Sequence, residues 1–398
     1  MEIPREVSFI IETLNESGYE AFVVGGCVRD SIMEKVPKDF DIATSAIPEQ
    51  IKPLFEKTVD TGIKHGTITI VLKEGSFEVT TYRIDGEYKD CRRPTEVFFT
   101  NYLADDLMRR DFTINAIAYH KETGFVDPYD GIKDIKDRKI RGVGEPTKRF
   151  NEDALRMLRC IRFSTQLGFD VEKETYKSLM ENTKLISKIS TERIRDELCK
   201  IFLGEDLNRS ILLTDSKIIS HVNLELSNYL DDYLEKSICY MKRADEDIVD
   251  RLVILFRYAD DKRLLEFMRF LKFSNEATKT VCTLRKYLDI EINNDLYSVR
   301  KMMSILGYNL FLKLINIKEI LGESTKQILL LSKNILENKD PLTLKDLNIN
   351  GNILKNNKIC ENKQIGEILN LLLDHVLQDI SFNTEEKLLE LAKSMKLK

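Results

Sequence analysis

The stretch Val23-Val24-Gly25-Gly26-Cys27-Val28-Arg29-Asp30, with the Asp39-Phe40-Asp41 that follows it, constrains this chain more than any other segment. It reads as a buried strand, a two-glycine turn, a short helix over 27–35 and a second strand over 39–44 that carries two acids. Glycine lets the backbone approach a phosphate closely, and a helix that starts there points free N–H groups at it. Residues i and i+2 of a strand share a face. Asp39 and Asp41 are therefore expected to project together while Phe40 enters the core. Adjacent carboxylates repel, and a divalent cation relieves that repulsion. A phosphate cradle beside a cation-holding acid pair points to chemistry on a nucleoside triphosphate. Each half alone is weak, since Gly-Gly before a helix is ordinarily a turn and Asp-x-Asp is ordinarily surface.

Around this stretch the pattern alternates helix and strand as far as about residue 145. Residues 5–17 form an amphipathic helix ending at Gly18, and 19–24 the first strand. Residues 66–73 and 77–83 alternate and flank Glu74-Gly75-Ser76, a hairpin signal. In the second of these, Glu78, Thr80 and Tyr82 share a face. Glu78 is thus a third carboxylate beside the acid pair or, equally, a solvated strand glutamate. Residues 83–100 break the periodicity and read as a long polar loop, with Arg83, Asp85, Lys89, Arg92 and Arg93. His65 reads as a loop or packing histidine. Residues 139–143 are expected to return to the sheet, and Gly144 and Pro146 mark a boundary. Beyond about 150 the pattern is helical, with no convincing strand pair.

Composition excludes several classes. The 398 residues suffice for two to four domains, and 32% charged with 42% hydrophobic residues is ordinary for a soluble globular protein. No apolar run is long enough for a membrane span, and the N-terminus lacks a signal-peptide core. Seven cysteines at 27, 91, 160, 199, 239, 282 and 360 are scattered, without a C-x-x-C pair, which fits a reducing cytoplasm and neither disulfides nor zinc. The net charge of −5 does not advertise a nucleic-acid binder, so any RNA contact requires locally concentrated basic residues.

The second informative stretch runs from Phe150 to Phe163. On one continuous helix, Ala154, Leu155, Leu158 and Ile161 would share an apolar arc. Asp153, Arg156 and Arg159 would lie opposite, with Arg162 at the edge, bracing the helix or reaching a phosphate. A carboxylate accepts from an exocyclic amine and a guanidinium donates to a ring nitrogen. Cytosine and adenine both present amine then acceptor on the Watson–Crick edge, whereas uracil and guanine present the reverse. An Asp153–Arg156 template would therefore accept C and A and reject U and G. In isolation, Asp and Arg at i, i+3 make an ordinary helix salt bridge.

In combination and order, GGCVRD (25–30), DFD (39–41), RRDFTINA (109–116) and EDALRMLR (152–159) resemble the class II CCA-adding tRNA nucleotidyltransferases, relatives of the bacterial poly(A) polymerases. The resemblance implies an α+β nucleotidyltransferase head of the DNA polymerase beta type followed by an all-α neck, body and tail. The divisions are expected at 1–145, 146–205, 206–275 and 276–398. It implies template-independent addition of CCA to a tRNA 3′ end from CTP and ATP, with pyrophosphate released, in the cytoplasm and away from membranes; a homodimer is compatible. Asp39 and Asp41, with Glu78 as a third candidate, would hold Mg²⁺. Gly26, Arg29 and Arg110 would hold the triphosphate; Asp153 and Arg156 would read the base, with Arg159 and Arg162 in support. For Arg29 the alternative is a surface salt bridge with Asp30 or Glu34. Arg83, Asp85, Arg92 and Arg93 fall in the counterpart of the family's flexible loop, whose presence favours addition of the final A. Ser190–Leu198 resembles the next helical motif and would position the template helix. The rival readings are A-only addition, poly(A) synthesis, or an idle RNA-binding protein on the same fold. Retention of both Asp39 and Asp41 argues against the last.

Overall fold

The computed structural model describes residues 1–86, 96–359 and 364–395. Arg92 and Arg93, named above as loop residues, lie outside them, as does Lys89. The chain divides into two compact units, Met1–Ile238 with Phe270–Lys272, and Cys239–Arg269 with Phe273–Lys398.

The first unit opens with α1 (Arg5–Glu16), which buries Val7, Ile10, Ile11 and Leu14 at helical spacing. Strand β1 (Ala21–Val24), helix α2 (Gly26–Ile32) and strand β2 (Asp41–Thr44) follow, then the short α3 (Pro48–Ile51), β3 (Thr58–Gly62), β4 (Thr67–Val71) and β5 (Ser76–Thr81). The expected hairpin is present: β4 and β5 pair antiparallel with Thr69 opposite Glu78. Next come β6 (Arg83–Asp85), β7 (Val97–Phe99), α4 (Leu103–Met108), β8 (Ala118–His120) and β9 (Gly124–Val126). Seven strands form one mixed sheet in the order β3-β4-β5-β2-β1-β8-β9. Its centre is β1 and β2, antiparallel with Val24 opposite Asp41. Val24 and Ala43 pack with Tyr82, Leu103, Leu107, Ala116, Ala118 and Val143 in a closed apolar cluster. That cluster fixes where the end of β1 delivers Gly25.

Three local expectations are corrected. The two described ends of the 83–100 segment are not loop but a ribbon, β6 against β7, with Arg83 opposite Phe99. Tyr82 does not share the face of Glu78; β5 has ended by then, and Tyr82 turns wholly into the core while Glu78 stays exposed. Residues 139–143 do not rejoin the main sheet. After α5 (Gly131–Lys136), β10 (Lys139–Ile140) pairs in parallel with β11 (Asp170–Val171). A strand pair therefore enters the region expected to be all helical. The remainder of this segment is α6 (Pro146–Glu152), α7 (Leu155–Leu167), α8 (Lys173–Asn182) and α9 (Thr191–Phe202).

The second unit is helical throughout its described residues. One of its cores gathers Leu354, Leu372, Val376 and Leu388. It also buries an ion pair, Arg300 Nε to Asp340 Oδ2 at 2.7 Å, with Arg300 Nη1 donating to the Leu377 carbonyl. Both residues are under a tenth exposed. Removing one partner leaves an uncompensated buried charge, so Asp340→Ala is expected to cost about 3–5 kcal/mol. Urea unfolding midpoints measure this, and a loss below about 1 kcal/mol would contradict the burial of the pair. No described helix is long and apolar enough to cross a membrane.

Candidate active site

Strand β1 ends at a turn that only glycine fits. Gly25 has φ +83°, in the left-handed region, and a Cβ there would come within 2.9 Å of Arg110 Nη1 and 3.8 Å of Asp41 Oδ2. A side chain at 25 would thus intrude between a guanidinium and a carboxylate. Gly26, the glycine singled out in the sequence, would meet only the Arg29 guanidinium at 3.5 Å, an ordinary contact. The next residue, Cys27, donates its thiol to the Val24 carbonyl. Burial, and then the charge of Asp41, push that thiol up to about 11, so it stays protonated behind the acids.

Asp41 opens β2, and Asp39 precedes the strand instead of lying within it. Phe40 is only half-buried, not a core residue. Solvent reaches Asp41, yet protein crowds it on most sides. That crowding raises its carboxyl above the ordinary range, Arg110 opposes the rise, and Asp39 adds to it. Strand β2 runs parallel to β5 with Ile42 opposite Val79. Asp41 and Glu78, each one residue earlier, are therefore neighbours on adjoining strands. Among the described residues no three His, Cys, Asp or Glu side chains form a ready-made metal cage. Mg²⁺ needs less: one or two carboxylates, with waters and substrate phosphates completing its shell. The residues present fit that requirement.

Helix α4 and the turn after it set Arg110. Asp106, fully buried, accepts from Arg109 through Oδ1 at 2.7 Å and from Arg110 through Oδ2 at 3.1 Å. Burial would raise the Asp106 carboxyl, but the two guanidiniums hold it below the usual range. Asn115 ties the next layer together. Its Oδ1 accepts from Arg29 Nη1 at 2.6 Å, its carbonyl accepts from Arg110, and its Nδ2 donates to Asp111. Arg29 also bridges Asp30 at 2.7 Å, as the alternative reading anticipated, but it is buried and not on the surface.

Asp111 accepts from Arg159 Nη2 at 2.6 Å and from the Phe112 N–H. Burial works to raise its carboxyl, yet Arg159, first among several partners, holds it well below the usual carboxylate range. With the folded value depressed, the stability Asp111 contributes is full above about pH 4 and is lost as pH falls below that range. Asp111→Asn is expected to lower stability at pH 7 and to flatten the acid limb of a stability–pH curve; an acid limb unchanged by the substitution would contradict the pair.

The stretch 150–163 is not one helix. Helix α6 ends at Glu152, Asp153 is extended at φ −136° and ψ 104°, and α7 begins at Leu155. Asp153 and Arg156 therefore do not lie a turn apart on one face. The Asp153 Oδ1 accepts the Leu155 N–H at 3.0 Å, and its Oδ2 accepts from Arg193 at 2.8 Å. Arg156 is buried instead of lying on an open arc. It donates to Glu152 at 2.7 Å, to the Arg149 carbonyl and to the Arg109 carbonyl. Arg162 braces α7 against α9 through Glu197 at 3.1 Å, as one of its two expected roles required. The apolar residues Ala154, Leu155, Leu158 and Ile161 are all buried as expected.

The structure thus gathers Gly25, Asp41 and Arg110 at one point, and links Arg29, Arg159 and Asp111 to it through Asn115. Arg83 and Asp85 stand apart on β6, bridged to each other at 3.3 Å. Asp85 lines a cavity of about 730 Å³ with Arg109, Lys148, Arg149 and Glu152. Sequence reading passed over Asp106, Asp111, Asn115, Glu152 and Arg193. Asp111 and Asn115 stood inside the quoted RRDFTINA segment, and Asp106 lies four residues before Arg110, where helix pairs are sought. Arg193 lies within Ser190–Leu198, the segment expected to position the template helix, and its bond to Asp153, forty residues away, is a contact of that kind.

Three family models match the chain. They are the Poly A polymerase head domain over residues 21–141, the probable RNA and SrmB-binding site of polymerase A over 168–230, and the putative tRNA nucleotidyltransferase domain 2 over 244–392. The CCA-adding enzyme of Leuconostoc citreum is 37% identical over 397 residues, 97% of this chain and 95% of that protein. The CCA-adding enzyme of Lactobacillus johnsonii is 35% identical over 390 residues, 96% of this chain and 95% of that protein. Among solved structures, the Bacillus stearothermophilus CCA-adding enzyme in complex with CTP matches with a TM-score of 0.87 at 28% identity, covering 100% of this chain and 98% of that one. The Thermotoga maritima CCA-adding enzyme complexed with tRNA shares the fold, with a TM-score of 0.65 at 21% identity over 99% of this chain and 96% of that one.

Proposed function

We propose, from the premise that this chain belongs to the family of CCA-adding enzymes, that it transfers CMP twice and then AMP once from CTP and ATP to a tRNA 3′ end, releasing pyrophosphate. The observation that carries the reading is the meeting of Asp41 and Arg110 across a side-chain-free Gly25, with Asp39 beside and Glu78 on the next strand.

Asp39 and Asp41 are the residues to hold Mg²⁺, with Glu78, on the adjoining strand, as the third candidate. Bound there, divalent cations supply activation of the RNA's terminal hydroxyl and neutralisation of the leaving pyrophosphate. Gly25 and Gly26 keep the approach to that point free of side chains. Arg110, anchored by Asp106, faces Asp41 and meets the negative charge of the triphosphate; Gly26, Arg29, Arg159 and Arg162 complete the anion-binding side. Asp153 accepts the exocyclic amine of cytosine or adenine. A carboxylate has about four lone-pair sites, and its bonds to Leu155 and Arg193 leave capacity for one more donor. Arg156 uses three of its five N–H donors on Glu152 and two carbonyls, which leaves donors for a ring nitrogen. The β6–β7 ribbon carries the flexible-loop residues Arg83 and Asp85. The divisions 1–145, 146–205, 206–275 and 276–398 are proposed as head, neck, body and tail, with the helical C-terminal part gripping tRNA by shape and backbone. The work is placed in the cytoplasm, with the tRNA pool.

The test offers the purified protein, with Mg²⁺ and ATP alone, a tRNA transcript lacking only its terminal A and an unrelated RNA. One addition to the tRNA and none to the other is expected. A long A-tract on the unrelated RNA would assign poly(A) synthesis instead.

A further inference from the structure

Phe163 lies at the centre of the arginines that the proposed function assigns to the nucleotide. The Arg162 guanidinium is 4.4 Å from its ring centroid, Arg159 5.2 Å and Arg29 5.3 Å. The ring is 6% exposed and is met by Phe112 at 5.8 Å in an edge arrangement, which fixes its plane. Each guanidinium is tied to a different carboxylate: Arg29 to Asp30, Arg159 to Asp111, Arg162 to Glu197. A ring has two faces, so at least two of the three cations share one. Arg162 feels the other two: burial first, then Arg159 and Arg29, bring it down to about 10 against the pull of Glu197 and Asp111. The ring lies within 5.3 Å of all three guanidiniums, and its negative face attracts each of them. An aliphatic side chain would fill the volume without that attraction.

We propose that Phe163 is a positioning residue for the triphosphate, its ring holding Arg29, Arg159 and Arg162 spaced and aimed as one anion-binding set. The proposal rests on the nucleotidyl-transfer reading. Arg159, the half-exposed member, is where the set meets solvent. Because the triphosphate is common to CTP and ATP, Phe163 acts on both nucleotides alike and leaves the choice between bases to Asp153 and Arg156.

The test uses the full chain with Phe163→Leu, Phe163→Met and Phe163→Tyr. The readouts are KM for CTP, ATP and tRNA, inhibition by inorganic tripolyphosphate, and the thermal midpoint. Loss of the ring is expected to raise both nucleotide KM values, and the tripolyphosphate inhibition constant, by a common factor of about ten, the scale of one buried cation–π contact. The tRNA KM is expected to stay within about twofold, and the tyrosine variant to recover most of the loss, since it retains the ring. Methionine, unbranched and able to fill an irregular gap, is read where the leucine variant fails to fold. Nucleotide KM values unchanged in the leucine or methionine variant, a tyrosine variant no better than leucine, or leucine and methionine variants that both fail to fold would overturn the proposal by assigning the ring to packing. A wild-type protein that extends no tRNA would defeat the parent reading; wild-type extension with unmoved variant KM values would defeat this one alone.

Discussion

Asp41→Ala is expected to reduce nucleotide incorporation by about 10³-fold or more while the protein stays folded. The size follows from the proposed role: removing an oxygen that would hold the metal loses several kcal/mol of charge stabilisation in the transition state, at about 1.4 kcal/mol per tenfold in rate. The folding result follows from electrostatics. The Asp41 carboxyl is raised in the folded chain by crowding and by Asp39, so its ionised form is disfavoured there. A carboxyl whose folded value is raised contributes stability that is full below its unfolded value and lost as pH rises through the folded one. At neutral pH without metal, Asp41 is therefore a net strain. Asp41→Asn should leave the metal-free thermal midpoint at pH 7 unchanged or higher even as activity is lost. A drop of several degrees would show that Asp41 holds the fold instead of the substrate.

The second large effect is on base choice. Asp153→Ala is expected to erase discrimination against UTP and GTP by up to about 10⁴-fold in kcat/KM ratio, because sites built to hydrogen-bond a substrate edge reject the wrong edge by that order. It also removes an acceptor for the Leu155 N–H and the partner of Arg193, so about 1 kcal/mol of stability should go with it, the usual cost of a lost helix cap. Nucleotide competition assays with all four triphosphates read the first effect, and the tRNA KM is the control. Selection that survives the substitution would remove Asp153 from the base-reading role.

The two halves of the site differed in how far they could be read from residues alone. The strand, glycines and acid pair were legible because their geometry is local: β1 and β2 are hydrogen-bonded neighbours, and Gly25 has its φ wherever the strand must turn sharply. The second half was misdrawn where tertiary contacts override the helical pattern. A wheel from 150 to 163 assumes continuity, yet Asp153 leaves helical geometry to accept from Leu155 and from Arg193 on a distant helix. An aspartate followed two residues later by an N–H it can cap is the local trace of that break. Arg156 looked solvent-facing and is buried, because the Arg109 carbonyl and Glu152 meet it there. Tyr82 likewise followed strand alternation on paper but belongs to the core cluster behind β1. The short β10–β11 pair joins residues 31 apart, Lys139 to Asp170, with too few residues in either strand to show a period.

On the proposed function, one site, built on Asp39, Asp41 and the arginines around them, completes a tRNA end and stops. The measurement that tests it most directly is the mass of the product formed when a tRNA transcript lacking its last three nucleotides is incubated with the protein, Mg²⁺, CTP and ATP together. A single product heavier by two CMP and one AMP is expected, with no further growth on longer incubation. A product heavier only by AMP residues, one that keeps lengthening, or no extension at all would contradict it.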